Sequence, residues 1–337
     1  MCNIHKKCKV WVSLKEFGIH AEGCLRDPLW LQTVIIPCNQ SVFNSALYID
    51  TPTQKLQYIQ NVAQGQFGYI DLAIFNTQSQ QSEVYVKRSI LSDNKLLSEA
   101  CIQKLVCDSL RSIGFLTGAP HIISIFCLKD KSICFAMEQI NKAITLDRYL
   151  ESLSITRFSV VIIDCLFQLS AMIWHLNDIL GINHRDLKPS NFLIVENDVP
   201  IRRVLCVVDE IIEIDSKYSL TLIDFGFSCL GSIKTHVSDI SLSTVYSKLD
   251  PCPKEGRDMY LFLAFVYSEY YTKLPLQLLT LFEKWLDIPG SNLCSFMKKD
   301  KKNSKEWLYF MAGNENIKKF KSCPYRIIKD LQSFIES

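Results

Sequence analysis

The chain has 337 residues, which is enough for one large two-lobed unit or two small domains with a sizeable hydrophobic core. Its hydrophobic content of 48% and charged content of 21% are ordinary for a globular protein and argue against intrinsic disorder. A formal net charge of +2 gives no general reason to expect a nucleic acid or an anionic membrane as a partner.

The cysteines favour reduced thiols over a disulfide framework. There are 14 of them, and no two are separated by two residues. Several lie in apolar segments, namely Cys101, Cys107, Cys127, Cys165 and Cys206. Because buried thiols of this kind are typical of cytosolic proteins, we expect a cytoplasmic location. No apolar core of a signal peptide follows the first lysines.

The longest apolar segments each contain an acidic residue, Asp164 in one and Glu269 in the other. No window reaches the roughly 18 consecutive apolar residues that a transmembrane helix needs. The sequence therefore predicts core helices and no membrane partner.

Residues 1–57 carry the fewest signals. Alternating residues at 9–14 and an apolar run at 29–36 predict two strands. Five residues offer a possible metal cluster: Cys2, His5, Cys8, His20 and Cys24. Their spacing matches no common zinc pattern, so ordinary thiols are the favoured interpretation. We interpret this segment as an extension packed on the domain that follows.

A glycine-containing turn comes next, in Ala63-Gln64-Gly65-Gln66-Phe67-Gly68-Tyr69-Ile70. It fits the phosphate-binding pattern G-x-G-x-x-G-x-V, with alanine in the first glycine place. Gly65 and Gly68 let a hairpin backbone approach phosphates where a Cβ atom would clash, and Phe67 would cover the loop tip. A plain β-turn is the alternative interpretation.

A lysine and three acidic residues follow on or near a predicted strand and a predicted helix. Lys87 ends the strand predicted at 83–87, and helical periodicity runs over 96–106. Glu99 lies on that helix. Asp93 precedes the periodicity, and Asp108 lies more than two turns beyond Glu99.

Two further elements lead to the middle of the chain. Residues 133–140 predict a buried strand that ends in a connecting segment. Residues 157–180 predict a long core helix, on which His175 is interpreted as a packed histidine.

The strongest motif is His184-Arg185-Asp186-Leu187-Lys188-Pro189-Ser190-Asn191, followed by Ile223-Asp224-Phe225-Gly226. Phosphoryl transfer from ATP needs an acid that orients the acceptor hydroxyl and a cation that neutralises the moving phosphoryl group. It also needs an amide oxygen and a second carboxylate that hold Mg²⁺. A chance match to so many residues of the right chemistry is improbable.

These motifs resemble those of the eukaryotic protein-kinase superfamily, with Lys188 placed as in the serine/threonine kinases. The resemblance covers roughly 58–335 and implies an α+β, bilobal fold with a β-rich small lobe and a mainly helical large lobe. It implies that Asp186 is the general base or orienting group, that Lys188 stabilises the γ-phosphate, and that Asn191 and Asp224 hold Mg²⁺.

The same resemblance assigns the ATP-binding residues. Lys87 contacts the α- and β-phosphates and is oriented by Glu99. Met137 is the gatekeeper at the adenine, which the backbone of Glu138 and Ile140 faces. The remaining ATP-binding residues are Gly65, Phe67, Gly68, Ile70 and Leu193. The resemblance also implies that the Arg185 guanidinium binds a phosphorylated activation segment and that His184 packs under the metal-binding loop.

The chain departs from the family pattern at several positions. Tyr85 replaces a small alanine against adenine, and Gln103 stands where an apolar packing residue is usual. There is no A-P-E motif, although Asp250 stands in its glutamate place and Asp258 fits the aspartate that braces the catalytic loop. The 32 residues between Asn191 and Asp224 predict an extended β-hairpin or surface excursion.

The last part of the chain predicts amphipathic helices at 274–287 and 325–335, with a shorter one at 306–310. The basic run at 298–302 is interpreted as a solvated loop. The short activation segment and the long insert resemble the kinases of large nucleocytoplasmic DNA viruses, which would place the protein in the host cytoplasm or the virion. The missing A-P-E also resembles the casein-kinase-1 branch.

The sequence thus predicts an extension at 1–57, a small lobe at 58–140 and a large lobe at 141–337. The predicted activity is transfer of the γ-phosphoryl group of Mg-ATP to serine or threonine hydroxyls of a protein substrate, with no nucleic acid as partner. The alternatives are a pseudokinase that acts as a nucleotide- or protein-binding scaffold, and a small-molecule phosphotransferase.

Overall fold

The computed structural model describes residues 35–37, 47–50, 54–65, 68–90, 95–127, 133–207, 210–234, 236, 238–243, 245–247, 250–288 and 290–336. The strand predicted at 9–14, the possible metal cluster at 2–24 and the loop-tip residue Phe67 lie outside the described residues. Of the strand predicted at 29–36, the structure describes the end, where β1 begins at Ile35.

The chain forms two compact units. The amino-terminal unit contains the described residues up to 108 together with 119–141. The carboxy-terminal unit contains 109–118 and the described residues from 142 onwards. The first is dominated by strands and the second by helices, so the predicted α+β class, with β-structure first and helices second, is confirmed.

The amino-terminal unit is built on a seven-stranded sheet in the order β1-β6-β7-β5-β4-β3-β2. The strands are β1 Ile35–Pro37, β2 Leu47–Asp50, β3 Gln54–Gln64, β4 Gly68–Thr77, β5 Gln81–Ser89, β6 Ile122–Cys127 and β7 Ile133–Glu138. Neighbouring strands are antiparallel except β1, which pairs with β6 in parallel. One helix, α1 (Lys95–Ser112), follows β5.

Both faces of this sheet are covered by apolar side chains. Strand residues such as Val84, Val86 and Ala136 form one buried cluster. The other cluster joins α1 residues such as Ala100 to Phe135 of β7. The alternation of side chains along a strand therefore assigns the two residue sets to opposite faces.

The carboxy-terminal unit contains seven helices among the described residues. They are α2 Leu146–Ser152, α3 Ile155–Trp174, α4 Arg257–Tyr270, α5 Leu276–Leu286, α6 Leu293–Lys299, α7 Lys301–Gly313 and α8 Pro324–Glu336. Its strands are β8 Ile144–Thr145, β9 Ile182–Asn183, β10 Phe192–Val207, β11 Glu210–Leu222, β12 Cys229–Gly231 and β13 Ser238–Ser241. The helices predicted near the carboxyl end correspond to α5, α7 and α8.

Helix α3 continues as a π-helical turn and reaches Leu180, and this stretch is long and apolar enough to cross a membrane. Two thirds of its most apolar window is buried inside the unit. Its acidic residue Asp164 accepts hydrogen bonds from Ser216 Oγ at 2.6 and 2.7 Å. The packing within the unit therefore accounts for its apolar composition.

The insert between Asn191 and Asp224 forms the predicted extended hairpin. Strands β10 and β11 pair from Phe192 with Leu222 to Val207 with Glu210, with one shift of register after Glu196. Along β11 buried and exposed residues alternate, which is the pattern of a strand with one covered face.

The loop predicted for the basic run at 298–302 is wrong. These lysines lie at the end of α6 and the start of α7, where Asp300 accepts a hydrogen bond from the backbone N–H of Asn303 and caps α7. Lys298 pairs with Glu283 at 2.9 Å, and Lys301 pairs with Glu269. The run therefore lies at two helix ends, with acidic partners that are distant in sequence. A run of lysines by itself does not reveal these partners.

The expectation of reduced thiols holds for part of the described cysteines. Cys229 and Cys252 form a disulfide, with their Cα atoms 6.3 Å apart. Six other described cysteines are outside any disulfide, namely Cys101, Cys107, Cys134, Cys165, Cys294 and Cys323. The two bonded residues are 23 positions apart, and only the folding of β12 towards the segment before α4 makes them neighbours.

Candidate active site

The candidate catalytic residues lie in a loop between β9 and a 3₁₀ turn at Pro189–Asn191. The Asp186 carboxylate is 6% exposed as a residue and accepts hydrogen bonds from Lys188 Nζ at 2.9 and 3.1 Å. Asn191 Nδ2 donates to the same carboxylate and to the Asp186 carbonyl, both at 2.8 Å. The structure thus brings Asp186, Lys188 and Asn191 together.

Asp258 braces this loop, as the sequence predicted. Its carboxylate is fully buried in the first turn of α4 and accepts the backbone N–H groups of His184 at 3.0 Å and Arg185 at 2.8 Å. Asn183 Nδ2 donates to it at 3.0 Å. Because a carboxylate holds these backbone groups, the residues immediately before Asp186 have a fixed position.

The role predicted for Arg185 is wrong. The guanidinium is fully buried and pairs with Asp250 at 2.9 Å, so it is not open to a phosphorylated segment. Lys254 at 2.9 Å and Arg257 at 2.7 Å pair with the same buried carboxylate. Asp250 therefore replaces a phosphate group as the anion that holds this part of the loop.

Two cations of this cluster have lowered pKa values. Burial, and then the neighbouring Arg257, lower the pKa of Arg185 to about 10. The same two causes lower the pKa of Lys254 to about 8. Burial opposes the charged form of each cation, and Asp250 is the partner that offsets this cost.

Two residues of the motifs have left-handed backbone conformations. Arg185 has φ 67° and Asp224 has φ 64°. Such angles are uncommon for residues other than glycine and cluster at functional sites, where the surrounding structure holds them. At Arg185 the buried pair with Asp250 and the bond to Asp258 supply that restraint.

The metal-binding candidates are linked through the backbone. The N–H of Ile223, the residue before Asp224, donates to the Asn191 carbonyl at 3.1 Å. Asn191 directs its Nδ2 group towards Asp186. Its Oδ1 atom is therefore the atom that can coordinate a cation. A carboxylate and an amide oxygen are the ligands that Mg²⁺ prefers, so the residues present fit the ion.

His184 packs against the metal-binding turn, as predicted. Its ring lies 5.0 Å from the Phe225 ring, and its Nε2 atom lies 3.0 Å from the Ile223 carbonyl oxygen. Phe225 is fully buried, whereas Asp224 is exposed. Leu193, a predicted ATP contact, is half-buried in β10 and pairs with Thr145 and Thr221.

In the amino-terminal unit, the structure forms the expected lysine–glutamate pair. Lys87 Nζ on β5 lies 2.5 Å from Glu99 Oε1 on α1, and the two side chains are 15% and 6% exposed. Glu99 points at the strand because α1 packs its apolar residues on that face of the sheet. At this burial a pair fixes a flexible ammonium more firmly than on a surface.

The glycine-containing turn joins β3 to β4, and the Gly65 N–H donates to the Gly68 carbonyl at 2.9 Å. A Cβ atom on Gly68 would lie 2.6 Å from the carbonyl oxygen of Arg88, whereas one on Gly65 would meet only the Gly68 carbonyl, at 3.9 Å. Gly68 is thus required because the backbone of the neighbouring strand β5 comes close to it within the sheet. Ile70 pairs with Lys87 across β4 and β5.

Substitution of these two glycines should separate a structural role from a ligand-related one. Gly68→Ala is expected to lower the free energy of unfolding by about 2 kcal/mol, because the new methyl group overpacks the sheet. Gly65→Ala is expected to change it by less than about 0.5 kcal/mol. Urea denaturation measures both values, and equal stability of the two variants would contradict the assignment.

The adenine-facing candidates lie at the end of β7. The N–H of Glu138 donates to the His121 carbonyl at 2.9 Å, so its candidate adenine contact is the carbonyl oxygen. Ile140 follows and is half-buried. Gln103 is buried, and its Nε2 atom donates to the Pro120 carbonyl at 3.0 Å and to Met137 Sδ at 3.5 Å. The unusual glutamine is therefore satisfied by partners rather than loosely packed.

Two features of the structure have no clear signal in the sequence. Asp71 on β4 is fully buried and pairs with Arg88 at 2.5 Å, with a further hydrogen bond from Asn61 Nδ2 at 2.8 Å. Tyr309 on α7 donates a hydrogen bond to Asp186. Tyr309 is 123 residues from Asp186, and no local pattern marks it.

Some solved structures have a chain trace similar to that of this chain. The chain is similar to the crystal structure of the BubR1 kinase domain, with 13% sequence identity and a TM-score of 0.49, over 98% of this chain and 99% of that one. No family model and no curated protein matches the sequence. This identity is too low to transfer the role of any residue from that domain to this chain.

Proposed function

We propose that this chain is an ATP- and Mg²⁺-dependent protein kinase that transfers the γ-phosphoryl group to serine or threonine hydroxyls. The observation that carries the proposal is the braced loop, in which Asp186, Lys188 and Asn191 share hydrogen bonds above Asp258. An acid, a cation and an amide oxygen in hydrogen-bond contact are the groups that this reaction needs.

The proposed chemistry uses the residues of the loop directly. The acceptor hydroxyl donates to the Asp186 carboxylate, which aligns its oxygen and receives its proton. That oxygen bonds to the γ-phosphorus as the bond to the β–γ bridging oxygen breaks, and ADP leaves. Lys188 offsets the charge of the transferred group. Asn191 and Asp224 would hold Mg²⁺, which neutralises phosphate charge when bound.

The amino-terminal unit supplies the proposed ATP contacts. Lys87, held by Glu99, offers its ammonium to the α- and β-phosphates. The turn at Gly65 and Gly68 would place its backbone beside the phosphates, and the carbonyl of Glu138 offers an acceptor to the adenine amino group. The preference for serine or threonine rests on the position of Lys188 two residues after Asp186.

A protein substrate as partner and a cytoplasmic location are parts of the same proposal. The buried thiols of Cys101 and Cys165 suit a reducing compartment, whereas the Cys229–Cys252 disulfide is more usual in an oxidising one. A viral origin remains a prediction from the long insert and the short activation segment.

A pseudokinase scaffold is the second candidate, and Tyr85 favours it. Tyr85 lies two residues before Lys87 on β5 and therefore on the same face of the sheet. Its hydroxyl accepts a hydrogen bond from Gln139 Nε2 at 3.2 Å, which holds the ring in place. A fixed ring at this position reduces the space for adenine.

Removing this ring is expected to strengthen nucleotide binding. Tyr85→Ala should lower the dissociation constant for ATP about tenfold, because the adenine gains the space of the phenol. Isothermal titration calorimetry measures the change, with Tyr58→Ala on β3 as the matched control. An unchanged or weaker affinity of the Tyr85 variant would show that the ring does not restrict the nucleotide.

The test of the proposal is a thermal-shift titration with Mg-ATP. At one hundred times its dissociation constant, a ligand stabilises the folded state by about 2.7 kcal/mol, which raises the melting temperature by several degrees. Lys87→Ala should lose most of this shift, whereas Lys55→Ala, at an exposed lysine of the same unit, should keep it. Equal shifts in both variants would contradict the assignment of Lys87.

A further inference from the structure

The carboxylate of Asp186 is already in contact with a hydroxyl group of the chain itself. Tyr309 Oη on α7 donates a hydrogen bond to Asp186 Oδ1. Lys188 Nζ contacts both carboxylate oxygens, and Asn191 Nδ2 contacts Oδ2. Among these donors, Tyr309 is the one that is a hydroxyl group. Its hydrogen bond to Asp186 is the one that an acceptor hydroxyl would have to make.

The position of Tyr309 is well defined by its surroundings. Its ring packs edge-to-face on Phe265 of α4, with the centroids 5.8 Å apart. Leu308 beside it is fully buried, and Lys305 of the same helix pairs with Glu269 at 2.7 Å. Helix α7 is thus anchored on α4, the helix that also carries the bracing residue Asp258.

The hydroxyl of Tyr309 stays protonated over the physiological range. Burial, followed by the negative charge of Asp186, raises its pKa far above the usual range. A protonated phenol is a hydrogen-bond donor, as the hydroxyl of a serine or threonine is. Tyr309 therefore presents to Asp186 the same polar group as a substrate, on a side chain that the chain supplies.

We propose that Tyr309 occupies the acceptor position at Asp186 and inhibits phosphoryl transfer until a protein substrate displaces it. The inference rests on the proposed kinase function. A protein hydroxyl and the Tyr309 hydroxyl compete for the same carboxylate oxygen, so transfer requires that the phenol move away. Tyr309 is in this account a residue that regulates access and takes no part in the transfer itself.

The test compares transfer by the wild-type chain with transfer by Tyr309→Phe. The phenylalanine keeps the contact with Phe265 but has no hydroxyl to compete for Asp186. With dephosphorylated casein as acceptor, kcat/KM for the protein should rise about tenfold, which matches the strength of a hydrogen bond to a charged group. The KM for ATP should stay the same.

The matched control is Tyr325→Phe. It makes the same chemical change at a half-buried tyrosine of α8 that donates to Glu210 at 2.7 Å. Its transfer rate should equal that of the wild type. A rise of the same size in this control would show that the effect in Tyr309→Phe does not come from Asp186, and would overturn the proposal.

A second measurement does not depend on activity. If Tyr309 contacts Asp186 in solution, Tyr309→Phe should shift the urea midpoint of the wild type but leave that of an Asp186→Ala background unchanged. Equal shifts in both backgrounds would show that the contact does not exist. Non-additive shifts together with an unchanged or lower transfer rate would assign Tyr309 a purely structural role, and would also overturn the proposal.

The two measurements separate this inference from the proposed function. If neither the wild type nor Tyr309→Phe transfers phosphate to casein, the kinase function is refuted, and the inhibitory role with it. The midpoints would still show whether the contact forms. If the wild type transfers and the variant transfers about tenfold faster, both are supported.

Discussion

Replacement of Asp224 by asparagine or alanine is expected to reduce phosphoryl transfer by about a thousandfold or more. The carboxylate is the main charged ligand that the chain offers to Mg²⁺, and loss of such a group removes charge stabilisation in the transition state. Asp224 is exposed, so its removal should leave the core unchanged. Initial rates with radiolabelled ATP measure the loss.

The two variants separate charge from backbone conformation. Asp224 has φ 64°, a region that asparagine tolerates better than alanine. Asp224→Asn should therefore keep the wild-type melting temperature, whereas Asp224→Ala should lose about 1 kcal/mol of stability. Asp198→Ala, at an exposed aspartate of the hairpin, is the activity control. Near-normal turnover of Asp224→Asn would refute the metal assignment.

Asp250→Ala is expected to destabilise the carboxy-terminal unit by about 4 kcal/mol. The substitution leaves Arg185, Lys254 and Arg257 buried without their shared anion, and a buried charge that loses its partner is costly. Because Arg185 precedes Asp186, the catalytic loop should also lose its position and transfer should fall. Urea denaturation of the whole chain measures the stability.

An exposed ion pair provides the control for this prediction. Asp287 pairs with Lys321, and the two side chains are 51% and 44% exposed. Asp287→Ala should cost less than about 1 kcal/mol, as is usual for surface pairs. If Asp250→Ala were no more costly than Asp287→Ala, the buried cluster would not be what holds the loop.

The proximity of Asp186, Lys188 and Asn191 was predictable because their spacing is local. Asp186, Lys188 and Asn191 lie within six consecutive residues, and short spacing constrains their geometry strongly. The brace from Asp258 was predicted through the resemblance to kinases, and the hairpin through the length of the insert. The class of fold was predicted through the same resemblance, and periodicity placed only single strands and helices.

The partner of Arg185 was not predictable from its motif. The sequence shows a guanidinium next to Asp186, but the choice between a phosphate and a carboxylate depends on which residue the chain folds onto it. Asp250 takes that place because Lys254 and Arg257 gather around the same anion. Such many-body electrostatic clusters have no local sequence pattern.

The lysines at 298–302 illustrate the same point. They lie at helix ends where Asp300 caps α7 and where Lys298 and Lys301 reach acidic partners more than ten positions away, and the basic run alone does not indicate these contacts. Asp71 and Arg88 also lie on different strands, where only the sheet register makes them neighbours. Tyr309 is the extreme case, since its contact with Asp186 depends on how α7 packs on α4.

The most direct test of the kinase function is transfer of radiolabelled γ-phosphate to dephosphorylated casein, followed by phosphoamino acid analysis. Wild type, Tyr309→Phe and Asp186→Asn are compared in the presence of Mg²⁺. We predict label on serine or threonine with the first two proteins, and a loss of about a thousandfold or more with the third. Nucleotide binding without any transfer by Tyr309→Phe would contradict the function and identify a pseudokinase.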